Sequence, residues 1–231
     1  MLHTPRTVSD VMTHTVIAVG REAPFKEIVA LMEQWKVSAL PVLAGEGRVI
    51  GVVSEADLLP KEEFRDSDPS LLQAPGSARA GGTPSDQLRR LADLAKAGGV
   101  SAGEVMSTPA VTVHPDTTLP QAARIMALRH VKRLPVVDAQ GLLQGVVSRS
   151  DLLKVFLRTD EELADEVRRT VTAFLFPDRA VTVAVEGGVV TLGGEIRDRT
   201  LVPIAARLTR AVEGVVDVRM DLTGPDRTSP R

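Results

Sequence analysis

The strongest constraint on the fold is an internal repeat, because two segments of the chain align without a gap at an offset of 94 residues. The aligned positions fall into three blocks. They pair Val11 and Met12 with Val105 and Met106, Leu40, Pro41 and Val42 with Leu134, Pro135 and Val136, and Gly51, Ser54 and Asp57 with Gly145, Ser148 and Asp151. Three blocks at one offset indicate that the two halves share one fold.

Both repeats show the same order of hydrophobic patterns. A short β run, at 16–19 and again at 111–113, precedes a helix with apolar residues three and four apart. Two β-rich runs joined by a glycine-containing turn follow, and a serine then stands where a helix N-cap is expected. Each repeat therefore predicts a β-α-β-β-α unit, with Trp35 on the core face of its first helix.

The composition changes between and after the repeats, which predicts separate segments. Repeat 1 covers 7–61 and repeat 2 covers 101–158, and a Pro-, Gly- and Ser-rich linker over 62–100 contains a short helix near 85–97. A third unit over 159–223 has the order α-β-β-α-β, with a hairpin turn at Gly187 and Gly188. The polar tail over 224–231 is expected to be disordered.

Composition excludes several classes of function. The 231 residues include no cysteine, which removes disulfides and thiolate chemistry, and the net charge of −2 gives no attraction to nucleic acid. No signal peptide or long apolar run is evident, so a cytoplasmic location is expected. The four histidines are too far apart in sequence for a metal site, and no catalytic motif is found, so we expect a protein that is not an enzyme.

The repeat motifs carry a resemblance to a known family. In both copies a Gly-h-h-Ser-x-x-Asp motif, where h is hydrophobic, follows two β runs of which the first contains h-Pro-Val. This pattern resembles a tandem of CBS domains, which together form a Bateman module. Residues 160–223 resemble a BON domain through their glycine and valine pattern. The resemblance implies an α/β (α+β) fold, with one Bateman module followed by a small α-β-β-α-β domain.

The resemblance to CBS tandems implies binding of an adenosine-containing ligand in two clefts between the repeats. AMP, ATP, NAD and S-adenosylmethionine are the candidates, and no cofactor is required. Asp151 is placed to accept hydrogen bonds from the two ribose hydroxyl groups. Ser148 begins the same helix, where a hydroxyl and backbone N–H groups favour an anion.

The two clefts differ in charge, which favours the cleft of the second repeat. Lys132, Arg133 and Arg149 surround its Ser148, whereas the first repeat has Ser38, Ala39 and Glu55 at the equivalent positions. Charge-assisted contacts to phosphate are the stronger kind. The predicted base pocket uses one further set of residues: Ile17, Val37, Ser38 and Ala39. A second, weaker site is expected at Asp57 and Ser54.

Other interpretations remain open. Ser-x-x-Asp is also an ordinary helix start, since serine caps the helix and aspartate suits its first turn. A ligand-free CBS homodimer acting as a stress-response scaffold is the main alternative to a sensor that signals through the BON-like domain or an unknown protein partner. An envelope or phospholipid adaptor ranks third, because residues 160–223 hold more acidic than basic side chains and membrane binding is therefore not expected.

Overall fold

The computed structural model describes residues 6–65, 83–177 and 181–224, and these form two compact units. Residues 7–149 make the first unit, and residues from 150 onward, with Arg6, make the second. The division falls before the predicted domain boundary at residue 158. Arg158, the last residue of the predicted second repeat, is bonded within the C-terminal unit, since its Nη1 donates to the backbone oxygen of Glu213 at 2.7 Å.

The first unit contains the two repeats, and its elements confirm the predicted mixed α/β fold. Its strands are β1 Val19–Gly20, β2 Ala39–Ala44, β3 Arg48–Ser54, β4 Arg133–Val137 and β5 Leu143–Ser148. Its helices are α1 Phe25–Trp35, α2 Glu55–Leu58, α3 Pro60–Glu63, α4 Pro84–Gly98, α5 Ala102–Val105 and α6 Leu119–Leu128, and α7 Arg149–Leu153 begins at its end. The helix α4 lies where the sequence predicts one near 85–97.

The two sheets of this unit each contain an antiparallel pair with the same irregularity. In the first, β1 is parallel to β2 and β2 is antiparallel to β3, while in the second β4 is antiparallel to β5. In both antiparallel pairs the register shifts immediately after one residue pair. This pair is Val42–Gly51 in the first sheet and Val136–Gly145 in the second. The strand predicted at 111–113 is wrong, because that run makes only an isolated bridge through Val113 to Val136.

Each repeat is completed by the segment that precedes the other one. The amide of Val8 donates to the carbonyl of Thr117 at 2.8 Å, and the amide of Ala102 donates to the carbonyl of Ala23, also at 2.8 Å. Ala102 and Val105 are fully buried in the core of the first repeat, with Ile28, Leu40, Val42 and Val53. The Val-Met block that precedes each repeat therefore packs against the other repeat.

Glycine at the centre of each motif permits this exchange. A Cβ atom at Gly51 would lie 2.5 Å from Sδ of Met106 and 3.0 Å from the carbonyl oxygen of Ser107. At Gly145 the same atom would lie 2.8 Å from Sδ of Met12 and 2.9 Å from the carbonyl oxygen of Thr13. Neither glycine has a positive φ, so the requirement is for space and not for a special backbone conformation.

The first helix buries one stripe and leaves its end exposed. Ile28 and Met32 are buried in α1, as the periodicity predicts. The core position predicted for Trp35 is wrong, since this side chain is 51% exposed. Trp35 is the last residue of α1, and the chain turns away through Lys36 in the left-handed conformation, so about half of the side chain stays exposed.

The C-terminal unit has the predicted α-β-β-α-β order. Helix α8 Asp160–Val167 continues through a π-helical turn into α9 Ala173–Leu175, and strands β6 Thr182–Glu186, β7 Val189–Glu195 and β8 Asp217–Thr223 with helix α10 Val202–Arg210 complete it. The β6–β7 pair is antiparallel and β7–β8 is parallel. Gly187 and Gly188 both have positive φ in the hairpin turn, and their amides donate to the carboxylate of Asp160.

We expect Gly51→Ala to lower the free energy of unfolding by about 1–3 kcal/mol, because the added methyl group must displace Met106 or the backbone of Ser107. Gly145→Ala should lower the free energy of unfolding by a similar amount, because its methyl group must displace Met12 or the backbone of Thr13. Gly20→Ala is the control, because no atom lies within 4 Å of a Cβ built there. Chemical denaturation measures all three, and equal denaturation midpoints for the Gly51 and Gly20 variants would contradict the packing argument.

Candidate functional site

The helix that follows the first repeat motif begins with a capping box that holds Asp57 in place. Ser54 is the N-cap of α2, and both its backbone amide and its hydroxyl group donate to Oδ2 of Asp57, at 2.8 Å and 2.6 Å. The extended backbone of Ser54, at the end of β3, directs both groups toward the first turn of the helix. The structural interpretation of Ser-x-x-Asp therefore holds for this copy.

The other carboxylate oxygen of Asp57 is bonded to groups from outside the first repeat. The ammonium group of Lys96, in the last turn of α4, donates to Oδ1. The hydroxyl group of Ser107 donates to the same oxygen at 2.7 Å, and Lys96 also donates to Ser107 at 3.0 Å. Both oxygens of this buried carboxylate thus have two donors each, all supplied by the protein.

The charge of Asp57 is maintained despite its burial. Desolvation by itself would raise the pKa of this carboxyl group, which is only 7% exposed. Hydrogen bonds from Lys96, Ser54 and Ser107, together with the positive charge of Lys96, outweigh desolvation and lower the pKa of Asp57 below its ordinary value. The folded chain therefore favours the ionised aspartate.

Sequence reasoning did not identify Lys96 or Ser107 as partners of Asp57. Ser107 follows the Val105-Met106 block, and its equivalent in the first repeat is Thr13. This equivalence could have identified Ser107. If the Val-Met block of one repeat packs on the other repeat, the residue after the block lies close to the motif of that other repeat. Lys96 offered none, since it lies in the linker helix outside the repeat.

The first unit also contains an open cleft with a volume of about 670 Å³. Helix α1, the turn before β2, helices α2 and α3 and the start of β4 form its walls. The lining residues are Val29, Met32, Glu33, Lys36, Val37, Ser38, Glu55, Leu58, Leu59, Glu62 and Arg133. Arg133 of the second repeat therefore shares a cleft with Val37 and Ser38 of the first, which are three of the predicted site residues.

The predicted cations lie near Ser148, on neighbouring backbone positions. Arg133 is the direct cross-strand partner of Ser148 in the β4–β5 pair. The amide of Arg149 donates to the carbonyl of Lys132 at 3.2 Å, and its guanidinium group donates to the carbonyl of Val131, also at 3.2 Å. Of the three cations, Arg133 is the one that lines the cleft.

The remaining predicted site residues are not among those that line this cleft. Asp151 belongs to the C-terminal unit, where its carboxylate pairs with Lys154 at 2.7 Å. Ile17 packs against the core of the first repeat, and Ala39 begins β2 opposite Ser54. Neither Ile17 nor Ala39 lines the cleft. Of the predicted base pocket, Val37 and Ser38 line this cleft, and the pocket as a whole stays a prediction.

Among residues 6–65, 83–177 and 181–224, no group of three or more His, Cys, Asp or Glu side chains is arranged to hold a metal ion. None of the helices in these same ranges combines the length and the apolar character needed to span a bilayer.

We expect Asp57→Asn to lower the free energy of unfolding at pH 7 by about 3 kcal/mol, because Lys96 then lies buried without its counter-charge. The lowered pKa of Asp57 gives stability that is present above the ordinary value of 3.8 and is lost as pH falls through the folded-state value. The difference between wild type and variant should therefore narrow below pH 3.8 in urea denaturation. Asp116→Asn, at an exposed turn position, is the control, and a difference independent of pH would contradict the assignment.

Comparison with known proteins agrees with the architecture. The CBS domain family matches residues 8–61 and 102–158, and the BON domain family matches residues 159–224. The chain is 30% identical over 146 residues to the CBS domain-containing protein YhcV of Bacillus subtilis, which covers 63% of this chain and 82% of that protein. It is 28% identical over 154 residues to an uncharacterized protein of Methanocaldococcus jannaschii, covering 65% of this chain and 90% of the relative.

A solved structure shows the same fold in the repeat region. The crystal structure of CBSX2 from Arabidopsis thaliana in complex with AMP aligns with a TM-score of 0.53 and 29% identity, and covers 66% of this chain and 97% of the other. Together with the repeat motifs and the exchanged segments, these matches show that the chain belongs to the CBS domain-containing proteins, with a tandem CBS pair followed by a BON domain.

Proposed function

We propose that the CBS pair binds an adenosine-containing ligand and that the protein is a regulatory sensor that is not an enzyme. The observation that carries this proposal is the cleft that brings Arg133 together with Val37 and Ser38. It provides a cation and small, partly apolar side chains within one cavity. The similarity to CBSX2, whose structure contains AMP, supports the same ligand class.

The charges of the cleft favour a ligand with few phosphate groups. Glu55 and Glu62 line it along with Arg133, and Glu33 and Lys36 form an ion pair at its edge. One phosphate group can bind Arg133, but each additional negative charge increases repulsion from the glutamates. Among the candidates from sequence, AMP and S-adenosylmethionine, which carries a cationic sulfonium group, fit this balance better than ATP.

Asp151 is the aspartate that we assign to the ribose. It occupies the same motif position as Asp57, but it forms an ion pair with a different kind of lysine. Lys96, the partner of Asp57, is 20% exposed, whereas Lys154, the partner of Asp151, is 54% exposed and lies one turn away in sequence. A ligand displaces a half-exposed lysine at a lower cost in free energy than a buried lysine.

A ligand-free homodimer is the second candidate function. Its support is a set of exposed apolar side chains on the helices of the first repeat, namely Val29, Trp35 and Leu59. Side chains of this kind mark interaction surfaces, and self-association would cover them. Val29 and Leu59 also line the cleft, so a dimer formed through these side chains would compete with a ligand in it. The roles expected for the BON domain, for an unknown protein partner and for a cytoplasmic location stay predictions.

We expect AMP to raise the melting temperature, since a ligand at 100 times its Kd adds about 2.7 kcal/mol to stability. ATP at the same concentration should give a smaller increase because of Glu55 and Glu62. Differential scanning fluorimetry with AMP, ATP, NAD and S-adenosylmethionine measures this, and sedimentation gives the mass in parallel. A dimer that no adenosine compound stabilises at millimolar concentration would support the scaffold and contradict the sensor.

We expect Asp151→Ala to abolish AMP binding and Asp57→Asn to retain it. Arg133→Ala should weaken AMP about tenfold and leave adenosine unaffected, because a charge-assisted bond to phosphate is lost. Arg124→Ala, on the exposed face of α6, is the matched control. Isothermal titration calorimetry measures each affinity, and retention of AMP by the Asp151 variant would show that the ribose binds elsewhere.

A further inference from the structure

The Asp57 site differs from an open ligand site because its acceptor atoms are already occupied. A ribose diol binds a carboxylate by donating a hydrogen bond to each oxygen. At Asp57, Oδ2 accepts from Ser54 alone, and Oδ1 accepts from Lys96 and Ser107. With the side chain 9% exposed, no acceptor position is left for a ligand while Lys96 remains in place.

The helix that supplies Lys96 is attached by its last turn. Lys96 is bonded to Asp57 and Ser107, and the ammonium group of Lys61 in α3 donates to the carbonyl of Ala97 at 3.0 Å. Farther back in α4, Leu88 and Leu91 are 69% and 63% exposed, so these apolar side chains gain little from docking. The described polar contacts between α4 and the first repeat are thus concentrated in its last turn.

The lysine is specific to the first site. At the repeat offset of 94 residues, the position equivalent to Lys96 is Leu2, an uncharged residue. The two motifs therefore have the same aspartate but not the same cation from a preceding segment. The difference is built into the linker helix and not into the motif.

We propose that α4 is an internal gate: Lys96 occupies the carboxylate of Asp57 and keeps the first CBS site closed to a nucleoside until the last turn of the helix withdraws. This inference rests on the proposed function, since the nucleoside is the adenosine part of the same ligand class. Glu55 follows Ser54 at this site, so the opened site takes adenosine in preference to AMP. In the closed state the chain binds at one site, and withdrawal of Lys96 adds a second.

Calorimetric titration of the full-length chain with adenosine tests the gate. Wild type should bind one equivalent, and Lys96→Met should bind a second. The double variant with Asp57→Asn should return to one. Lys26→Met, at an exposed position of α1, removes the same charge and should remain at one equivalent. Lys96→Gln keeps a donor for Asp57 without the charge, so it serves if the methionine variant does not fold, and it should show the second site at reduced affinity.

Amine labelling of wild type gives a readout that does not require a ligand. Lys96 should react at least tenfold more slowly than Lys26, and adenosine at millimolar concentration should accelerate it. Labelling of Lys96 at the rate of Lys26 would overturn the gate. One equivalent for both wild type and Lys96→Met would also overturn it and leave the proposed function intact. Absence of adenosine and AMP binding in every variant would contradict the proposed function and the gate together.

Discussion

The structure of the CBS pair depends on the close approach of each methionine to a glycine of the opposite repeat. Met106 lies over Gly51 and Met12 over Gly145, at distances that leave no room for a side chain at either glycine. Because Val105 and Ala102 are buried in the core of the first repeat, that repeat does not form a complete core from its own sequence. Nonlocal packing of this kind makes the tandem, and not the single repeat, the unit that folds.

The same exchange of segments determines what reaches the Asp57 motif. The chain entering the second repeat forms a bridge between Ser107 and Val52, which places the Ser107 hydroxyl on the carboxylate of Asp57. The linker helix ends just before this entry, so its last turn lies beside the first motif. The fold therefore supplies Asp57 with neighbours from outside its own repeat before any ligand is considered. The environment of the motif is a consequence of the core packing.

The elements that sequence predicted well are those governed by local pattern. The alternating strands, the Ser54 cap and the glycine hairpin of the BON domain follow from residue spacing and were found. The predictions failed where residues distant in sequence determine the local structure. Trp35 continues the apolar spacing of α1 but is half exposed, and 111–113 has β-forming residues but pairs only through Val113. Lys96 could not be assigned to Asp57, because no local rule states where a linker helix docks.

Two copies of one motif need not make two equal sites, and this chain shows a physical reason. The carboxylate is the same, but Asp57 is buried against Lys96 of α4, while Asp151 pairs with Lys154, three residues farther along the chain. A buried partner from another element links the carboxylate to the position of that element, whereas a local, half-exposed partner does not. Any group that competes for Asp57 must therefore also change the docking of α4. By linkage, anything that holds α4 in place must oppose that competitor to the same extent.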